Sequence, residues 1–213
     1  GRGIFADTYE GNAIIVPVGA PFQRIQDLGG RRIAVVKGSS GHNLLLQALT
    51  KAGMAPQAVQ LAFLAPSEAT IALTQGSVDA VVTWEPYVSF ATVRSGARIL
   101  VDGKDFPALS YFVASDKAIA EKRAALRDFV ARNAKARAWG QRNAQAYSKV
   151  IAKLVGIPED VAAIKQRREG HVPLAIDDSV VRLQQATIDL YAESKLIPKG
   201  FSAQSVLDAS FNP

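Results

Sequence analysis

The sequence predicts an α/β protein with a mostly parallel sheet covered on both faces by helices. Three observations carry this. Short apolar strands alternate with helical patterns between residues 27 and 102. Tight turns marked by Gly30, Gly38, Gly53 and Gly76 join them. The strands are apolar throughout rather than alternating, as strands buried on both faces are.

The elements follow in order. Residues 12–18 read as a buried strand stopped by Pro17 and Gly19. Residues 32–37 are β-branched and form a second strand. Residues 38–42 form a loop, and the helical spacing of residues 43–52 ends at Gly53. Residues 59–64 are a strand, 66–75 a helix closed by Gly76, and 80–84 and 97–101 two more strands. After the strand at 110–115 the chain turns helical. Patterns cover residues 121–142, a stretch starting at Pro158, residues 177–194 and a short piece at 202–207. Helices of this kind cover a sheet, yet few strands are present for them to cover.

Composition narrows the function. The 213 residues carry 25 Lys and Arg against 19 Asp and Glu, a net charge of +6. That excess attracts anions without implying nucleic acid. With no Cys, disulfides, thiolate metal sites and a cysteine nucleophile are excluded. No apolar run approaches the ~20 residues that span a bilayer. No HExxH, nucleophile elbow or metal-ligand cluster occurs, so neither a metal nor another cofactor is expected.

Four segments could carry chemistry. Lys37-Gly-Ser-Ser-Gly-His-Asn43 lies between a strand and a helix N-terminus, where free N–H groups and the helix dipole favour an anion. Gly38 lets the backbone approach a ligand, Ser39, Ser40 and His42 add donors, and Asn43 is a capping residue. A capped turn with no ligand fits the same residues. Thr83-Trp-Glu-Pro-Tyr87 ends a strand at the sheet edge where ligands bind in open α/β folds. Trp84 can wall off an organic group and Glu85 can orient a donor, or both can be structural. In Gln166-Arg-Arg-Glu-Gly-His-Val-Pro173, Arg167 or Arg168 can grip an oxyanion or be solvated, and His171 reads as a turn residue. The basic stretch from Lys117 to Arg142 reads as the solvated face of an amphipathic helix.

These segments, in this order, together with the Asp27-Leu-Gly-Gly30 run, Val172-Pro173, Gln184-Gln185 and Leu196-Ile-Pro198, resemble the substrate-binding proteins of ABC importers for aliphatic sulfonates, taurine and nitrate. The resemblance is strongest to the alkanesulfonate-binding type. It implies a type II periplasmic-binding fold of two α/β lobes joined by crossover strands. Residues 12–18 and 110–115 are the crossover candidates. The implied division is residues 1–20 as a crossover strand and remnant of lobe I, 21–102 as lobe II, and 103–213 as a return crossover and the helical part of lobe I. It also implies that the first lobe is incomplete, as in the later part of a longer protein.

Function follows as expectation. The resemblance implies a binding protein, not an enzyme, that captures a small organic anion of the sulfonate class and delivers it to an inner-membrane ABC permease. Ligand contacts are expected from Gly38, Ser39, Ser40, His42, Asn43, Trp84 and Glu85, with Arg168 approaching from the other lobe. A periplasmic or lipid-anchored location, a monomer (or a swapped dimer) and no nucleic-acid partner go with it. Two rivals share the architecture. The effector domain of a LysR-type regulator needs a complete first lobe. A pyrimidine-precursor synthase uses a Cys-rich motif and histidines, and this chain has no Cys and two His.

Overall fold

In the computed structural model, which describes residues 1–212, the chain begins with β1 (Arg2–Thr8), β2 (Ala13–Val16), β3 (Arg32–Val35), α1 (Ser40–Lys51) and β4 (Gln60–Phe63). It continues through α2 (Pro66–Thr74), β5 (Ala80–Thr83), α3 (Tyr87–Arg94), β6 (Arg98–Asp102) and β7 (Leu109–Ala114). Helices α4 (Asp116–Glu121), α5 (Arg123–Arg142), α6 (Ala144–Val155) and α7 (Glu159–Glu169) follow, then β8 (Pro173–Leu174) and α8 (Asp178–Glu193). Two compact units result. One comprises Gly1–Tyr9, Pro107–Tyr147 and His171–Pro213; the other comprises Glu10–Phe106 and Ser148–Gly170.

The second unit is built on a five-stranded sheet in the order β4-β3-β5-β2-β6. β3 runs parallel to β4 and β5, whereas β2 is antiparallel to β5 and β6. The sheet is therefore mixed, with β2 reversed among four strands of common direction. Ile14, Val16, Ile33, Val35 and Val82 point to one face, where Leu44, Leu45, Ala48 and Leu49 of α1 cover them. Ala13, Ile15, Ala34 and Val81 point to the other, against Ala69 and Leu73 of α2 and Val88 and Ala91 of α3. Each fully buried Leu, Ile or Val contributes about 1.5–3 kcal/mol by leaving water.

The first unit has a three-stranded antiparallel sheet in the order β7-β1-β8. Ile4, Phe5 and Ala114 pack with Val130 of α5 and with Phe211. Ala6 packs with Ile176, Val180 of α8 and Leu207. This sheet is what α5 and α8 cover.

Several expectations change. Residues 12–18 are not a crossover: β2 is a fully buried interior strand, paired on both edges. The chain passes between the units at residues 9–10, 106–107, 147–148 and 170–171 instead. Residues 148–170 group with the five-stranded unit, not with the rest of 103–213. Strand β1 is absent from the sequence reading because Gly3 and Asp7 interrupt its apolar run. Helix α1 starts at Ser40 rather than Asn43, because the Ser39 hydroxyl, not Asn43, caps it.

Candidate functional site

The site is built where β3 and β5 end and α1 begins, all within the five-stranded unit. After β3 the backbone turns at Gly38 with φ 72°, a left-handed conformation that glycine adopts without strain. The Ser39 hydroxyl accepts the His42 N–H at 3.1 Å and so caps α1. The amides of Ser40 and Gly41 open the helix and have no carbonyl within it to bond. Gly41 lies so close to the end of β5 that an added Cβ would sit 3.3 Å from the Val82 carbonyl oxygen. The positive end of the α1 dipole is thereby set against the carboxyl end of the sheet.

His42 is 2% exposed and its Nδ1 accepts the Gly38 N–H at 3.1 Å. The ring proton of the neutral form therefore sits on Nε2. Burial, and then the charge of Lys37, hold the imidazole below its ordinary pKa. Ser40 Oγ donates to Asn12 Oδ1 at 2.8 Å, so its proton is committed inside the protein. Asn43 Oδ1 and Thr83 Oγ1 are buried acceptors with no hydrogen-bond partner among the described residues. Each carries a desolvation cost that a bound polar group would offset.

The turn after β5 supplies the other side. Trp84 is half-buried, and its ring meets Tyr87 edge-on with centroids 6.1 Å apart. Glu85, whose peptide bond to Pro86 is cis, is 4% exposed. Its Oε2 accepts the Ser89 N–H at 3.2 Å and its Oε1 accepts Arg168 Nε at 2.8 Å. Burial pushes the Glu85 carboxyl above the ordinary range, and Ser89 and Arg168 pull against that.

Arg168 lies near the end of α7, in the same unit as Glu85, not in the opposite lobe. Its Nη1 donates to Asp102 Oδ2 at 2.9 Å and its Nη2 to the Asn12 carbonyl at 3.4 Å. One guanidinium thus ties the β5 turn, the end of β6, the start of β2 and α7 together. With two carboxylates and one cation the cluster has a formal charge of −1 when all are ionised. Arg167, the alternative, is exposed.

The remaining candidates are structural. His171 lies in the other unit with Nδ1 3.2 Å from Asp7 Oδ2, and Arg137 Nη1 lies 2.6 Å from the same oxygen. The basic helix therefore turns one of its cations inward onto a buried carboxylate. Among the described residues no group of three His, Asp or Glu converges as a metal site. No helix among them is long and apolar enough to cross a membrane.

A family model described as NMT1/THI5 like matches residues 8–145. The chain belongs to the NMT1/THI5-like family. This NMT1/THI5-like chain is 36% identical over 188 residues to the "Putative aliphatic sulfonates-binding protein" of Escherichia coli (strain K12), covering 87% of this chain and 59% of that one. It is 30% identical to the protein of the same name from Bacillus subtilis (strain 168), covering 98% of this chain and 64% of that one. The chain thus spans about three-fifths of the length of these curated relatives. Among solved structures it resembles the periplasmic aliphatic sulphonate binding protein SsuA from Escherichia coli, with 31% identity and a TM-score of 0.88 over 96% of this chain and 72% of that chain. It also resembles the alkanesulfonate-binding protein SsuA from Xanthomonas axonopodis pv. citri bound to MOPS, at 27% identity and TM-score 0.83 over 97% of this chain and 73% of that chain. The type II periplasmic-binding fold read from the sequence is the fold of these relatives.

Asn12 and Asp102, which join the Arg168 cluster, are missed by the sequence reading, whereas Lys37 heads a segment that it singles out. Asn12 and Asp102 are ordinary strand-end residues until the sheet pairs β2 with β6, which places both beside α7.

Proposed function

We propose that this protein is the solute-binding component of an ABC importer and captures an organosulfonate at the carboxyl edge of its five-stranded sheet. The observation that carries this is its likeness in sequence and fold to the sulphonate-binding protein of Escherichia coli. The local physics agrees. The amides of Ser40 and Gly41 and the α1 dipole suit an oxyanion head, and the unpaired Thr83 hydroxyl leaves a donor at the end of β5. Trp84 offers an aromatic surface to an organic tail.

Each of the residues around the turn has a part in this reading. Gly38 shapes the turn, Ser39 caps the helix, and His42 stays neutral and braces Gly38. Ser40 holds Asn12 by its hydroxyl and faces the ligand by its amide. Arg168 acts first as a positioning residue, because its donors hold Glu85 and Asp102. The task is binding rather than catalysis, and the further expectations are a periplasmic location and delivery of the ligand to an inner-membrane permease.

Isothermal titration of the protein with alkanesulfonates, taurine, sulfate and nitrate tests this. Saturable binding of sulfonates in preference to sulfate and nitrate is expected. Binding of none of the sulfonates rejects the reading. Ser40→Pro, which keeps a helix start but removes one of the two amides, is expected to weaken sulfonate binding about tenfold.

A further inference from the structure

We propose that Lys37 and Phe63 select the ligand: Lys37 draws the anionic head to the start of α1, and the Phe63 ring takes an apolar or aromatic tail. This rests on the sulfonate reading and names the class of sulfonate. Phe63 ends the edge strand β4, paired with Val35 at the end of β3. Phe63 is 51% exposed although its neighbour Ala62 is buried. The ring centroid lies 5.9 Å from that of His42 in the first turn of α1, and Lys37 Nζ lies 5.7 Å from the Phe63 centroid. Phe63 thus stands beside the same helix start that offers its amides to the anion.

Charge explains why Lys37 is needed. Arg168 is the cation that sequence reading places at the site, but Glu85 and Asp102 more than neutralise it. That cluster cannot draw an anion. Lys37 forms no ion pair with a carboxylate among the described residues, and its ammonium is close enough to His42 to disfavour a second positive charge there. The positive potential at the helix start therefore comes from the α1 dipole and Lys37 together. A ring beside a cation matches a molecule with an anionic head and an apolar body. Inorganic sulfate and nitrate gain nothing from the ring.

Calorimetry on the full chain with methanesulfonate, butanesulfonate, benzenesulfonate and sulfate tests the proposal. Phe63→Ala is expected to weaken butanesulfonate and benzenesulfonate about tenfold while changing methanesulfonate less than about twofold. Phe63→Leu, which keeps an apolar wall, restores most of the butanesulfonate affinity. Lys37→Met is expected to weaken all sulfonates by a similar factor and flatten the salt dependence of binding. Equal weakening of every sulfonate by Phe63→Ala, or no weakening, overturns the tail assignment while sulfonate binding itself stands. Unchanged affinity in Lys37→Met overturns the charge assignment. A wild-type protein that binds no sulfonate overturns the sulfonate reading and this proposal with it.

Discussion

At the scale of the residue, the buried Glu85–Arg168–Asp102 cluster sets the strongest constraint. The Glu85 side chain is fully buried and that of Arg168 is 14% exposed. Removing the cation strands a carboxylate in the interior. Arg168→Met is expected to lower stability by about 3–5 kcal/mol. Glu85→Gln in the same chain should recover part of the loss, and urea unfolding of the single and double variants checks both. His42 imposes a pH dependence. Its folded pKa lies below the ordinary 6.5, so the unfolded chain takes up a proton that the folded chain refuses. Its stabilising contribution is present above pH 6.5 and is lost as the pH falls through the lowered value. Glu85 has the opposite sign: raised from 4.5, it favours the folded chain below pH 4.5 and loses that contribution as the pH rises through the raised value. Urea midpoints between pH 7.5 and 5.5 should fall more steeply for the wild type than for His42→Asn. Equal slopes would remove His42 as the titrating group.

At the scale of the element, α1 and the β6 turn position the site. Ser39→Ala removes the cap of α1 and is expected to cost about 1 kcal/mol, read as a shift in the urea midpoint. Gly103, just past β6, packs against the segment that leads into β2. A Cβ there would lie 2.7 Å from the Glu10 carbonyl oxygen and against that of Asn12 as well. These are backbone atoms that no rotamer change can move. Gly103→Ala should therefore destabilise the protein and displace Asn12, the acceptor for both Ser40 and Arg168. Weakened sulfonate binding beyond the loss of stability is the expected signature, read by titration at a temperature where the variant is folded. The strand-to-helix turn was legible because glycine, serine and a following apolar stripe mark it locally. The start of α1 was misread because Ser39 and Asn43 are both good caps, and only the placement of the Ser39 hydroxyl under the His42 amide decides between them.

At the scale of the whole molecule, ligand binding should register in global stability. A sulfonate at about 100 times its Kd adds about 2.7 kcal/mol. For a chain of this size that corresponds to a rise in Tm of about 5–10 °C. Scanning calorimetry with and without butanesulfonate checks it, and an unshifted Tm at saturating ligand would contradict binding to the folded state. The net charge of +6 works in the same direction by concentrating anions near the surface.

The division between sequence and tertiary structure follows from range. Alternating strands and helices, the glycine turn and the Trp84-Glu85 edge are encoded by neighbours within about ten residues, so local propensity and periodicity reveal them. The α/β class was therefore readable, and so was the strand-to-helix turn at which the anion site is proposed. The reversed direction of β2, the central place of β1 and the grouping of residues 148–170 with the five-stranded sheet depend on pairings between distant segments. So does the fate of Arg168, whose partners lie 83 and 66 residues away. A guanidinium in a sequence shows its charge and its donors. Only the fold decides whether carboxylates from elsewhere in the chain have already claimed them.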